Sequence, residues 1–227
     1  MNQARVPAAL LNAVKSDLQP VRPLAAPMRR ALMLLPLGIA MLVGIPAFWT
    51  WQAHLKVLAP WPSWLLSVLE IGLSLLILAA SFREAIPGRE LSAKWIAALV
   101  GVALMVFVLV NPTLPSPPQL SSNTLAHWMW ECIVRATTFS IPALVLPVLV
   151  ASRGLPNRPA LMGALCGLGV GFMGDAGLRL LCWDGDYAHV ILAHGGAIAI
   201  LVGLGALSAV IVERVRSRRL TKRGLAR

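Results

Sequence analysis

The sequence predicts an all-α polytopic membrane protein, a six-transmembrane-helix bundle with its N and C termini cytoplasmic. Three observations predict it. The 227 residues are 58% hydrophobic and 13% charged, with a mean hydropathy of +0.76, which is more apolar than a soluble domain of this length could bury in one core. The apolar residues fall into windows near the roughly 20 residues that a helix needs to cross hydrocarbon, at about 31–51, 62–81, 94–111, 133–152, 159–181 and 187–212. Of the 20 Lys and Arg, 17 lie at the termini or in the second and fourth loops, one (Lys56) in an odd-numbered loop, and two (Arg135 and Arg179) within spans. By the positive-inside rule both termini then face the cytoplasm.

Helices follow because a helix satisfies its own backbone in lipid, whereas the alternation that a membrane β-strand requires is missing from these windows. The net charge of +11 needs no nucleic acid, since topology and anionic lipid account for it. Three regions result: a cytoplasmic segment 1–30, a transmembrane domain 31–212 and a basic cytoplasmic tail 213–227.

The N-terminal segment divides at Pro20. Before it, Leu10, Leu11, Val14 and Leu18 recur at helical spacing; after it, the prolines of VRPLAAP favour extended backbone. Such a helix suits either the membrane surface or docking to another protein through its i, i+4 anchors. The first span follows some thirty more polar residues and shows no small-residue cleavage site, so it is expected to stay as an anchor.

The third loop, NPTLPSPPQLSSNTLAHW, is rich in proline and serine and has no basic residue, as expected of an extracytoplasmic connection. Trp49, Trp51, Trp61, Trp64, Trp128, Trp130 and Trp183 fall near the same face and suit an interfacial aromatic belt. In the fifth span Gly163, Gly167 and Gly171 recur every fourth residue, the pattern that lets helices approach closely. The GxG within it is no nucleotide loop, because no strand precedes it.

Four ionisable residues lie at membrane depth: Glu70, Arg135, Asp175 and Arg179. Each must be paired or reach water. Asp175 and Arg179, at i, i+4, are expected to neutralise one another. Glu70 is expected to meet Arg135 or to be protonated.

The topology places Cys132 and Cys182 at the ends of adjacent spans on the oxidising side, with Cys166 deep in the fifth span as a packing residue. The outer pair could form a disulfide, stay as two structural thiols, or join His127, Glu131, His189 and His194 around a soft metal. With no CxxC and with the histidines spread over a loop and two helix starts, no metal site and no cofactor is assigned. Asp184 and Asp186, flanking Gly185, suit a tight turn and a cap on the last span.

The runs DLQPVRPLAAPMRRA, IPALVLPVLVASRGLPNRPALMGALCGLGVGFMG and LCW, with the histidine of ILAHGGAIAILVGLGAL, resemble the NrsF-type negative regulators of extracytoplasmic-function sigma factors. The resemblance implies a non-enzymatic anti-sigma factor of the bacterial inner membrane, whose N-terminal segment holds a sigma factor away from RNA polymerase. In that segment Asp17, Pro20, Val21 and Pro23 match. The stress-sensing cysteines of the family map onto Cys132 and Cys182, though Leu181 and Trp183 stand where relatives carry histidine and proline. The implied partners are the sigma factor and the bilayer, without direct nucleic-acid contact and with room for a homo-oligomer. The competing reading is a small transporter or scaffold subunit that uses the four intramembrane charges.

Overall fold

Glycine decides which helices of this bundle can touch. The computed structural model describes residues 24–53, 61–110, 122–182 and 187–224, together with Ala9 and Asn12. Thus Leu10, Leu11, Val14, Asp17, Leu18, Pro20, Val21 and Pro23 lie outside the described residues, as do Trp183, Asp184 and Asp186. The elements are α1 (Pro27–Leu32), α2 (Leu35–Ala53), α3 (Trp61–Glu84), α4 (Ala93–Val110), α5 (Ser122–Ser152), α6 (Pro159–Leu178), the single turn α7 (Tyr187–His189), a π-helical segment (Val190–Gly195) and α8 (Gly196–Gly224).

Among the described residues six helical stretches are long and apolar enough to cross a membrane, and α1 with α2 forms the first of them. The predicted spans are therefore present, with shifted ends. α5 starts at Ser122, because SNTLAHW after the prolines of the third loop carries no helix breaker. α6 stops at Leu178, where the backbone tightens into three-residue bonds from Leu180 and Leu181 to Gly177 and Leu178. α8 continues through ERVRSRRLTKR to Gly224, since those residues favour helix as strongly as the apolar ones before them. Pro46, Pro142 and Pro147 lie within helices, as membrane helices tolerate.

α6 is the axis of the bundle. Of its most apolar window 83% is buried, against 17% for the peripheral α4. Its glycines explain how it reaches that place. A methyl group on Gly163 or Gly167 would strike the backbone of α8 at Gly205 or Leu201; one on Gly169 would lie 2.7 Å from Leu78 of α3; one on Gly177 would lie 2.5 Å from the Met41 carbonyl of α2. On another face, Gly174 leaves room for the Ser140 hydroxyl of α5. Small residues thus admit four neighbours to van der Waals contact around one helix, where packing rather than water exclusion drives association.

Polar contacts gather at the two ends. At the basic end, Arg158 forms a 2.6 Å ion pair with the buried Glu84, and Asn157 donates to Glu90 at 2.7 Å, tying the loop after α5 to the loop after α3. The Glu90 carboxyl is held below its usual range by its own backbone N–H, by Asn157 and by the N–H of Gly88. The last carbonyls of α5 are also capped here. Buried Arg30 donates to the Val150 carbonyl and lies 4.7 Å over the ring of Phe82, while Arg216 of α8 donates to the Ser152 carbonyl at 2.7 Å. Cations at a helix C-terminus satisfy carbonyls that have no partner of their own.

Gly167→Val should lower stability by about 2 kcal/mol or more through overpacking against α8. Gly203→Ala, which meets open space, should stay within about 0.5 kcal/mol. Thermal unfolding of the detergent-solubilised variants measures both, and equal losses would mean that α6 does not depend on its glycines.

Candidate functional site

The other end of the bundle carries a thiol and imidazole cluster. Cys132 comes from α5, Cys182 follows α6, His189 closes α7, and His194 lies in the π-helical segment. All four are buried, and one donor atom of each lies within 4.8 Å of every other. The Sγ atoms of Cys132 and Cys182 are 4.0 Å apart and unbridged, and Cys182 Sγ lies 3.4 Å from His189 Nε2. The Cys182 thiol is pushed up from its ordinary value, first by the neighbouring Cys132 thiol and then by burial.

The π-helical segment is what pairs the histidines. Five residues along an α-helix turn through about 500°, leaving the two side chains about 140° apart. With i→i+5 bonding the chain winds more slowly and residues five apart move toward one face. His189 and His194 accordingly meet edge to face, with ring centres 5.6 Å apart.

Behind this cluster runs a buried polar chain. His194 Nδ1 lies 2.5 Å from a carboxylate oxygen of Asp175, both side chains being almost fully buried. Asp175 also lies close enough to act on Glu70. Arg179, 1% exposed, donates at 2.9 Å to the Val110 carbonyl, the Ser63 carbonyl and the Ser67 hydroxyl, and its Nε is 3.9 Å from Glu70. One guanidinium thereby joins the facing ends of α3, α4 and α6. Its planar fork of donors suits this role, which a single ammonium would not fill.

The buried charges find partners beyond those that spacing suggests. Asp175 meets His194, and the side chain of Arg179 reaches Glu70 and backbone carbonyls, so each has a partner on another helix besides the expected attraction between the two. Arg135 does not meet Glu70. It pairs at 2.6 Å with Glu131, one turn earlier in α5, and lies 5.3 Å over the ring of Trp49. The reason is reach: Glu131 is a neighbour at i, i+4, whereas Glu70 faces the bundle axis. Cys166 is buried as expected, 3.0 Å from the Ser81 hydroxyl.

Comparison with known families identifies the class. The family model described as NrsF, negative regulator of sigma F, matches residues 15–214. This chain belongs to the NrsF family. No curated protein and no solved structure matches it. As an NrsF-family protein with six apolar helices it is a multi-pass, membrane-bound negative regulator of a sigma factor, and not an enzyme.

Within this NrsF-family chain, the sequence brings Cys132 and Cys182 together and offers His189 and His194 among several possible neighbours, but it does not reveal the long-range partners of Asp175 and Arg179. His194 was one of several histidines near the outer level. The signal that singles it out is the carboxylate of Asp175, nineteen residues earlier and on another helix, which no local pattern reveals.

Arg179→Met leaves Glu70 buried without its cation and should cost about 3–5 kcal/mol. Adding Glu70→Leu should restore part of that loss, because the uncompensated charge is then gone. Thermal unfolding of the two variants tests this, and a double variant no more stable than Arg179→Met would exclude the pair as an electrostatic unit.

Proposed function

We propose that the protein sequesters an extracytoplasmic-function sigma factor through residues 1–30 and releases it when a stress at the far side of the membrane alters the Cys132 and Cys182 pair. In this reading both termini and the basic end are cytoplasmic, and the thiol cluster faces the extracytoplasmic side of the inner membrane. The docking surface is the amphipathic run of Leu10, Leu11, Val14 and Leu18, continued by Asp17, Pro20, Val21 and Pro23. The family membership supports the partner class.

The observation that carries the mechanism is the reach of α5. It holds Cys132 near one end, and at the other its final carbonyls are gripped by Arg30 and Arg216. Arg30 belongs to α1, which begins at Pro27 within the same N-terminal segment, four residues beyond Pro23 of the proposed docking surface. A displacement of α5 at its cysteine end is thus passed to the helix that anchors that segment. Closing the 4.0 Å separation to a disulfide bond of about 2.05 Å draws α5 toward the end of α6, as the two thiols give up two electrons and two protons to an oxidant of the envelope. Moving the partner from about 99% bound to about 1% bound requires about 5.5 kcal/mol of difference between the two states.

Co-purification from the native host, with bound proteins identified by mass spectrometry, should recover a sigma factor with the full chain and lose it on deletion of residues 2–26. The Cys132→Ser, Cys182→Ser double variant should keep the sigma factor bound yet lose at least tenfold of stress-induced, sigma-dependent transcription. Undiminished induction in that variant would remove the cysteines from the mechanism.

A further inference from the structure

We infer that Cys132, Cys182, His189 and His194 form a binding site for one divalent d10 cation of the zinc type, with Asp175 as the outer partner that orients His194. This goes beyond a redox pair of thiols, and it stands on the geometry of the cluster, not on the docking of a sigma factor.

Around a tetrahedral zinc ion, bonds of about 2.3 Å to sulfur and 2.0–2.1 Å to nitrogen place the donor atoms roughly 3.3–3.8 Å from one another. Here the sulfurs are 4.0 Å apart, Cys182 Sγ and His189 Nε2 are 3.4 Å apart, and no pair of the four donor atoms exceeds 4.8 Å. Small side-chain rotations close the rest. Three separate stretches of chain converge on the point: α5, the end of α6, and the α7 and π-helical stretch leading into α8.

The contact between His194 and Asp175 indicates what the cluster is for. A metal-binding imidazole commonly gives its second nitrogen to a carboxylate, which fixes the tautomer and strengthens the ligand. Nδ1 of His194 is engaged by Asp175 at 2.5 Å, while its Nε2 is buried with no hydrogen-bond partner among the described residues. A disulfide switch needs two thiols and nothing more. It gives no reason for two buried imidazoles, a π-helical segment that aligns them, and a carboxylate behind one of them.

Charge selects the cation class. Two thiolates and two neutral imidazoles around a dication sum to zero, so the ligand set itself demands no further counter-charge, and the Asp175 carboxylate behind His194 has the Arg179 guanidinium within its electrostatic reach. A monovalent soft ion would leave one negative charge. Binding releases the two thiol protons to solvent, so the metal adds no net charge to the bundle.

The test uses the full chain in detergent, reduced and stripped with a chelator, then titrated with Co2+ as a spectroscopic probe and back-titrated with Zn2+. One Co2+ per chain should bind, with tetrahedral ligand-field and thiolate-to-cobalt charge-transfer bands that Zn2+ abolishes. Cys166→Ala should bind as the parent does. Asp175→Asn should keep the spectrum and weaken affinity about 10- to 100-fold. His194→Gln and the Cys132→Ser, Cys182→Ser double variant should weaken it further, the latter without charge-transfer bands. Circular dichroism and gel filtration establish that each variant is folded, and the titration of the parent protein needs no variant at all. Absence of stoichiometric, thiolate-ligated Co2+ in the folded parent protein, or undiminished binding by the folded cysteine double variant, overturns the site. A protein that retains a sigma factor but takes no cobalt refutes this inference and leaves the anti-sigma reading intact; one that takes cobalt with no sigma factor supports it and refutes only the docking.

Discussion

The bundle depends on one constraint: its central helix has no room for side chains on the faces where it meets its neighbours. Gly163 and Gly167 press on the backbone of α8, Gly169 on Leu78, Gly174 on Ser140 and Gly177 on Met41. Helices that close bury whatever polar groups the axis carries, and the neighbours must answer them. Asp175 and Arg179, on the last turn of α6 and just beyond it, are answered by His194, Glu70, Ser67 and the carbonyls of Ser63 and Val110. The buried polar chain and the tight glycine packing are two aspects of one arrangement, since partners at these distances exist only because the backbones approach so closely.

Much of this was legible in the sequence. Hydrophobic runs of membrane-spanning length mark helices because lipid leaves the backbone no other solution, and the spacing of Gly163, Gly167 and Gly171 did mark a packing face. What it left hidden were long-range partners. The spacing of Asp175 and Arg179 pointed to a local pair, but it could not show that helices far apart in sequence supply further partners to both, His194 to one and Glu70, Ser67 and backbone carbonyls to the other. For Glu70 the sequence offered Arg135 or a proton, and the cation that lies near it, Arg179, belongs to another helix. The histidines were harder still: their five-residue spacing suits no ordinary helix face, and only the π-helical segment at Val190–Gly195 aligns them. A single inserted residue's worth of winding carries no compositional mark.

The two ends of the molecule differ in kind. At the cysteine end the polar groups are soft, buried and drawn from three separate stretches of chain; at the other they are arginines bonded to carbonyls and carboxylates, with Arg30 and Arg216 capping α5. α5 belongs to both ends, and its thirty-one residues include two prolines, Pro142 and Pro147. Each proline removes a backbone hydrogen bond and permits a bend. The element that joins the ends thus carries its two prolines between Cys132 and the carbonyls that the arginines cap.

The order of synthesis gives the position of α6 a further meaning. A chain emerges N-terminus first, so α2 to α5 enter the bilayer before the helix around which they will assemble exists. Until Arg179 arrives, the ends of α3 and α4 that it will join lack their common anchor, and each span must hold its place by its own affinity for lipid. Their hydropathies, between 1.9 and 2.4, are sufficient for that, while α6 itself, at 1.5, is the least lipid-loving of the six. The axis can be the weakest membrane span because it is inserted into company. The same arrangement means that the contacts of the first four spans are completed only when the fifth is in place.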